Sequence, residues 1–138
     1  MYLLDTNVLS ELQKPQPHAG LSDFLKTIPA SQLYISSVTL SELSYGIHRL
    51  PEGKKRRVLL QNLAEIRKVF KGRILLYSED AAVQYGDLLA AQEKRGFNDD
   101  VFDTMLIAQA LENGMSVITR NEKHFKDRGV SVINPFIP

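Results

Sequence analysis

Residues 2–12 read Tyr-Leu-Leu-Asp-Thr-Asn-Val-Leu-Ser-Glu-Leu, and this stretch decides the fold class. The three apolar residues at positions 2–4 are typical of a short buried strand. Asp5, Thr6 and Asn7 follow at once, and all three are residue types that cap the start of a helix. A strand that passes directly into a helix is the repeating unit of α/β folds with a parallel sheet.

The same alternation continues along the rest of the chain. Short runs rich in β-branched or aromatic residues predict four further strands, at 33–37, 74–77, 116–119 and 130–133. Apolar residues at helical spacing predict helices at 39–49, 54–70, 79–95 and 101–113, the last followed by Gly114. The pattern therefore predicts an α/β fold, with a parallel sheet of about five strands covered by helices on both faces.

Length and composition exclude several classes of protein. The chain has 138 residues, with 43% hydrophobic and 24% charged residues, and shows neither a repeat nor a linker, so we expect one domain over 1–138. The absence of cysteine excludes a disulfide scaffold, a thiol nucleophile and a cysteine zinc site. No apolar run approaches the ~18 residues of a membrane span, and no secretory signal is visible. We expect a cytoplasmic protein.

The net charge of +1 conceals an uneven distribution. Residues 51–73 contain eight basic and two acidic side chains, whereas the rest of the chain carries a net negative charge. A basic segment of this kind suits a polyanion, because Lys and Arg release the counterions that surround phosphates. The alternative is an ordinary solvated helix face. The cluster from Lys54 to Arg57 is consistent with either interpretation.

Four side chains that carry oxygen are predicted to meet at one edge of the sheet. Asp5 follows the first strand, Glu42 lies in the first turn of the helix after the second strand, Asp103 begins another helix, and Asn121 follows the fourth strand. Ligands of parallel sheets collect at the carboxyl ends of the strands. These residues therefore form the candidate functional site.

Each of these residues also fits a purely structural role. Thr39 and Glu42 match a capping box, Asp5 and Asp103 suit helix N-termini, and Asn121 suits a turn. As a group they indicate a bound cation, because carboxylates held together raise one another's pKa unless a cation neutralises them. Carboxylate and amide oxygens, without a histidine or cysteine motif, suit Mg²⁺ or Mn²⁺. Such an ion beside a basic segment suits the hydrolysis of nucleic-acid phosphodiesters.

Four segments carry a resemblance to a known family, and they are found at 2–12, 36–47, 102–108 and 117–125. In sequence the last three read Ser-Ser-Val-Thr-Leu-Ser-Glu-Leu-Ser-Tyr-Gly-Ile, Phe-Asp-Thr-Met-Leu-Ile-Ala and Val-Ile-Thr-Arg-Asn-Glu-Lys-His-Phe. In this order and spacing, and with the closing Ile-Asn-Pro-Phe, they resemble the PIN-domain family, and within it the VapC-type toxin ribonucleases of type II toxin–antitoxin systems.

This resemblance implies a fold, an activity and partners. The fold would be a three-layer α/β/α sandwich, and the activity that of an Mg²⁺- or Mn²⁺-dependent endoribonuclease. The implied partners are an RNA substrate, a small cognate antitoxin and a second copy of the chain, with larger toxin–antitoxin assemblies also open. The alternative is a PIN-like module that binds RNA or protein without cleaving it.

The resemblance also implies roles for single residues. Asp5, Glu42 and Asp103 fall on the acidic metal site of the family, and Thr6 and Thr119 fall on hydroxyl positions that support the carboxylates or a substrate phosphate. The implied reaction is in-line attack on a phosphodiester by a metal-activated water. Asp5 and Asp103 would be the principal ligands, and Glu42 a further ligand or the residue that orients the water.

Five positions are left with open roles. Asn121 stands where many PIN domains carry a fourth acid, so we expect one metal, or a weakly bound second one, in an active site. His124 stands where Asp is frequent, with no role that the sequence assigns. We expect Asp99 and Asp100 to cap the following helix rather than to bind metal through water. Arg120 is interpreted either as a contact to substrate phosphate or as an ordinary surface residue.

Overall fold

A single parallel sheet forms the centre of the computed structural model, which describes residues 1–138. Its strands are β1 (Tyr2–Leu4), β2 (Leu33–Ser36), β3 (Ile74–Leu75), β4 (Ser116–Ile118) and β5 (Val132–Ile133). Their order across the sheet is β3-β2-β1-β4-β5, and every neighbouring pair is parallel. The first strand of the chain thus lies in the middle of the sheet, as residues apolar on both faces require.

Six helices cover the two faces of this sheet. They are α1 (Thr6–Leu12), α2 (Ala19–Lys26), α3 (Ser37–His48), α4 (Lys54–Val69), α5 (Glu79–Lys94) and α6 (Val101–Asn113). Short 3₁₀ turns follow at Ala30–Gln32 and Glu122–His124. None of the six helices is both long enough and apolar enough to cross a membrane.

Two buried clusters lie on opposite faces of the sheet. Leu3 packs with α6 residues such as Leu106 and Ile107, whereas the adjacent Leu4 packs with α1 and with Leu21 of α2. This alternation follows from the two-residue period of a strand, which sends neighbouring side chains to opposite faces. The arrangement confirms the predicted three-layer α/β/α sandwich.

Several predicted boundaries are corrected by the structure. Helix α3 begins two residues earlier than expected, because the Ser36 hydroxyl accepts a hydrogen bond from the Val38 N–H at 2.9 Å. Thr39 is therefore not the cap: it is fully buried, and its hydroxyl has no hydrogen-bond partner. Glu42 consequently lies in the second turn of α3 rather than the first. The N-cap of α3 is thus Ser36, the last residue of β2.

Other differences concern short elements. Strand β3 has two residues instead of four, and Leu76 beyond it is 77% exposed. Helix α2 was not predicted, because its first turn is capped by an unusual group, the His18 ring nitrogen, which accepts from the Leu21 N–H. Gly114 follows α6 with a φ of 64°, the left-handed conformation expected of a glycine at this position.

Candidate metal and substrate site

Asp5 lies at the carboxyl end of the central strand and is held from three sides. Its backbone N–H donates to the Ile118 carbonyl of β4, and its side chain is buried. One carboxylate oxygen, Oδ1, accepts from the Thr6 N–H at 2.8 Å and so caps α1. The other, Oδ2, accepts from the Thr119 hydroxyl at 2.8 Å and from the Asn7 amide at 3.0 Å. Asp5 can therefore both cap α1 and contribute a carboxylate to the candidate functional site.

Glu42 reaches the same region from the second turn of α3. Its Oε1 accepts a hydrogen bond from the Thr6 hydroxyl at 2.7 Å, while its Oε2 has no partner in the protein. Burial raises the pKa of Glu42 to about 7, and the negative charges of Asp5, Asp103 and Asp100 add to the increase. Without a bound cation, Glu42 is thus partly protonated near neutral pH.

Asp103 approaches from the first turn of α6. The preceding Asp100 caps this helix, since its Oδ1 accepts from the Asp103 N–H at 3.0 Å. Burial, followed by the charge of Asp5, raises the pKa of Asp103 to about 6, although the His124 ring, 2.8 Å from Oδ2, opposes the increase. Burial also raises the pKa of Asp5, despite its three donors. A cation among these groups would reverse all three shifts.

These side chains line one polar cavity of about 410 Å³ that contains no hydrophobic residue. The acidic cavity, as we call it, is lined by Asp5, Thr6, Asn7, Ser10, Glu11, Lys14, Glu42, Asp100, Asp103, Arg120, Asn121 and His124. All seven predicted site residues except Thr119 are among them, and Thr119 is buried against Asp5. As the side chains are placed, however, no three His, Asp or Glu residues stand close enough to hold one ion.

Glu11 was missed by the sequence analysis. It is a buried carboxylate whose Oε1 is 3.0 Å from both Lys14 Nζ and Arg120 Nη2, and whose Oε2 accepts from the His18 N–H. The hydrogen bond from Lys14 is the main cause of its lowered pKa. Its signal in the sequence is an acid three residues after Val8, on the buried face of α1, where a charged residue needs a partner.

Arg120 lies at the rim of the acidic cavity. Its backbone N–H donates to Asn7 Oδ1 at 3.1 Å, and its guanidinium carbon lies 4.0 Å from the centre of the Phe136 ring. Asn121 beside it is exposed; its backbone N–H donates to the Thr119 hydroxyl, and its amide group has no partner in the protein. Both side chains therefore keep polar atoms available to a bound molecule.

Asp99 does not cap α6, in contrast to expectation. It forms a buried ion pair with Arg128 and accepts from the Thr104 hydroxyl, and it does not line the acidic cavity. The cap is Asp100 alone. Asp99 thus joins the start of α6 to the segment after β4, which carries Asn121 and His124.

The predicted basic cluster occupies the first turn of α4. Lys54, Lys55 and Arg57 are exposed, and none of them lines the acidic cavity. A larger, more apolar cavity of about 490 Å³ lies between α1, α3 and α4 and shares Thr6 and Glu42 with the acidic one. The four basic side chains do not line this cavity either.

Comparison with known proteins agrees with this architecture. The PIN domain family model matches residues 2–130. The chain belongs to the PIN-domain family. Among relatives of this PIN domain, plasmid stability protein StbB of Pseudomonas syringae pv. tomato is 36% identical, and VapC ribonuclease Y4jK of Sinorhizobium fredii is 34% identical.

The alignments span nearly all of each chain. They cover 99% of this chain and 99% of StbB, and 100% of this chain and 99% of Y4jK. In the solved structure of FitAB bound to the IR36 DNA fragment, one chain is 33% identical and matches with a TM-score of 0.89 over 100% of this PIN domain and 97% of its own length. The resemblance to PIN domains of the VapC type is thereby confirmed.

Proposed function

We propose that this PIN domain is a metal-dependent endoribonuclease that acts as the toxin of a toxin–antitoxin pair. The observation that carries the proposal is the convergence of Asp5, Glu42 and Asp103, from β1, α3 and α6, on one cavity without apolar residues. Full-length similarity to a protein named VapC ribonuclease supports RNA as the substrate. An RNA substrate also agrees with the cytoplasmic location expected from the sequence.

The donor chemistry of the cavity suits Mg²⁺ or Mn²⁺. Asp5, Glu42 and Asp103 offer hard carboxylate oxygens, and Glu42 Oε2 and Asp103 Oδ1 accept no hydrogen bond from the protein. These three side chains would hold the ion, and Asn121 would contribute an uncharged amide in place of a fourth acid. When bound, the ion would polarise a phosphoryl oxygen and lower the pKa of a nearby water.

The protein's own groups prepare this site for substrate. The Thr119 hydroxyl and the Asn7 amide fix Asp5, and the Thr6 hydroxyl fixes Glu42, so two carboxylates are oriented before anything binds. Glu42 Oε2 is the atom best placed to orient the attacking water, because Oε1 is already held by the Thr6 hydroxyl and Oε2 has no partner in the protein.

Partners and domain organisation follow as further parts of the proposal. The similarity to VapC ribonuclease Y4jK and to a chain of the DNA-bound FitAB structure supports a small cognate antitoxin as partner. The homodimer stays an expectation from the resemblance of the sequence to VapC-type toxins. We also propose that 1–138 acts as one domain. The packing of Phe136 on Arg120 supports this, because it joins the last turns of the chain to the site.

One observation favours the alternative of an RNA- or protein-binding module without catalysis. No three acidic side chains are grouped closely enough to hold one ion as they stand. Catalysis then requires the three carboxylates to shift closer together around an ion, whereas a binding module requires no such change.

The two functions are separated by cleavage with purified, antitoxin-free protein. We expect cutting of a panel of structured RNAs in Mn²⁺ or Mg²⁺, none in EDTA, and a loss of at least about 100-fold in Asp5→Asn. Asp23→Asn, an exposed acid of α2, is the matched control and is expected to cut normally. Unchanged cleavage by Asp5→Asn contradicts the metal site, and no cleavage of any RNA by the unmodified protein favours the binding module.

A further inference from the structure

Arg120 lies between two cavities. Besides the acidic cavity, it lines a second one of about 420 Å³ together with Asn121, Glu122, Lys123, Lys126 and Asn134. This basic groove, as we call it, contains three cationic side chains against one acidic side chain and no hydrophobic residue. It therefore begins where the acidic cavity ends and has the opposite charge.

Glu11 and Phe136 fix the side chain of Arg120 between these cavities. Glu11 is buried and binds one terminal nitrogen, Nη2, at 3.0 Å, while the Phe136 ring lies 4.0 Å under the guanidinium carbon. A planar guanidinium held by one edge and one face keeps its remaining N–H groups in a defined direction. Those groups have no partner in the protein, and 46% of the side chain is exposed.

The chemistry of the basic groove selects a particular part of an RNA. It offers ammonium, guanidinium and amide donors and no aromatic ring on which a base could stack. Donors of this kind bind phosphate oxygens, and such contacts position a strand without reading its sequence. The basic groove is thus suited to the backbone of an RNA strand rather than to its bases.

We propose that the basic groove binds the RNA backbone next to the cleaved bond, with Arg120 as the phosphate contact nearest the acidic cavity and Glu11 and Phe136 as its positioning residues. This inference rests on the proposed nuclease function, because only a nuclease has a cleaved bond next to which the strand can be placed. It extends that function by naming the path of the strand, which runs from the acidic cavity over Arg120 toward Lys123 and Lys126.

The test measures RNA affinity without cleavage. The metal-free protein in EDTA is titrated with a fluorescent single-stranded uridine oligonucleotide at several salt concentrations. We expect Arg120→Gln to weaken binding about tenfold, as loss of a charged hydrogen bond does. We expect the double variant Lys123→Gln/Lys126→Gln to reduce the slope of log affinity against log salt by about 1.4, since each phosphate contact to a single strand contributes ~0.7.

The matched control removes the same charge elsewhere. Lys26 and Lys71 are exposed and line neither cavity, so Lys26→Gln/Lys71→Gln is expected to change affinity less than about twofold. Equal effects of the control pair and the groove pair overturn the proposal. This outcome is independent of catalysis, because a protein that binds RNA through the groove but cuts none contradicts only the nuclease function.

The positioning role has its own readout. Glu11→Gln makes the protein more positive, so a purely electrostatic role for Glu11 predicts tighter RNA binding, whereas a positioning role predicts weaker binding. We expect Glu11→Gln to weaken RNA binding at least about threefold. Added to a protein that already carries Arg120→Gln, it should weaken RNA binding no further. Phe136→Ala is expected to behave likewise and Phe136→Tyr to retain affinity, with thermal melting as the folding control. Tighter binding by Glu11→Gln contradicts the role of Glu11.

Discussion

This PIN domain has two basic regions, the first turn of α4 and the basic groove, and only the basic groove borders the acidic cavity. The first turn of α4 concentrates Lys54, Lys55, Arg56 and Arg57 in consecutive positions, yet none of them lines the acidic cavity. The basic groove has fewer charges, separated by Glu122, but it shares Arg120 and Asn121 with the acidic cavity. Density of charge along the sequence is therefore a poorer guide to substrate binding than position at the carboxyl end of a strand.

The largest expected effect tests whether binding and cleavage are separate. Asp103→Asn should reduce the rate of RNA cleavage by at least about 100-fold, because it replaces one of three proposed carboxylate ligands of the ion by an uncharged amide. Its affinity for RNA in EDTA should stay constant or rise, since a negative charge near the basic groove is lost. A fall in affinity as large as the fall in cleavage would show that the acidic cavity, and not the groove, holds the strand.

A smaller effect compares the two basic regions directly. Replacing all four residues from Lys54 to Arg57 by glutamine removes twice the charge of the Lys123→Gln/Lys126→Gln pair. If α4 guides RNA, this variant flattens the salt dependence of binding, whereas a solvated helix face leaves the salt dependence unchanged. On the structure we expect the groove pair to reduce the salt slope more than the α4 variant does, in the same titration. A greater reduction by the α4 variant would reverse the comparison.

The smallest effect concerns pH and the stability of the metal-free protein. The pKa of Glu42 is raised from 4.5 to about 7, so the folded state binds more protons than the unfolded state between these values. Stability should therefore fall as pH rises from 4.5 to 7 and level off above this range. Solvent screening limits the contribution to about 1–2 kcal/mol.

Thermal melting at pH 5 and pH 8 checks this expectation. Glu42→Gln should reduce the pH dependence of Tm, whereas Glu65→Gln, an exposed acid of α4, should leave it unchanged. Addition of Mg²⁺ should raise Tm more at pH 8 than at pH 5, because the carboxylates must be ionised to bind it. A Glu42→Gln variant with the full pH dependence would assign that dependence to other groups.

Much of the fold could be predicted because its signals are local. Apolar runs and capping residues indicated all five strands and five of the six helices, and Gly114 indicated where α6 ends. Helix α2 lacked such a signal, since a histidine ring caps it. The start of α3 was misplaced because Ser36 and Thr39 are both suitable caps, and only the end of β2 decides between them.

The candidate site was predictable only in part, for a physical reason. Asp5, Asp103 and Asn121 follow strands or begin helices, so the topology rule alone brings them to one edge. Glu11 and the Asp99–Arg128 pair act through contacts between distant segments, the latter spanning 29 residues. The position of Glu11 on the buried face of α1 is a local signal, but no local pattern in a single sequence identifies the distant partner of Glu11 or of Asp99.

The position of β1 in the sheet also has a consequence for biosynthesis. Asp5 is synthesised before its hydrogen-bond partner Thr119, which lies 114 residues further along the chain, and β1 pairs with both β2 and β4. Because a chain leaves the ribosome N-terminus first, the central strand β1 cannot form its pairing with β4 until β4 has emerged. The acidic cavity is thus completed only after β4 and Thr119 have been synthesised and have paired with β1 and Asp5.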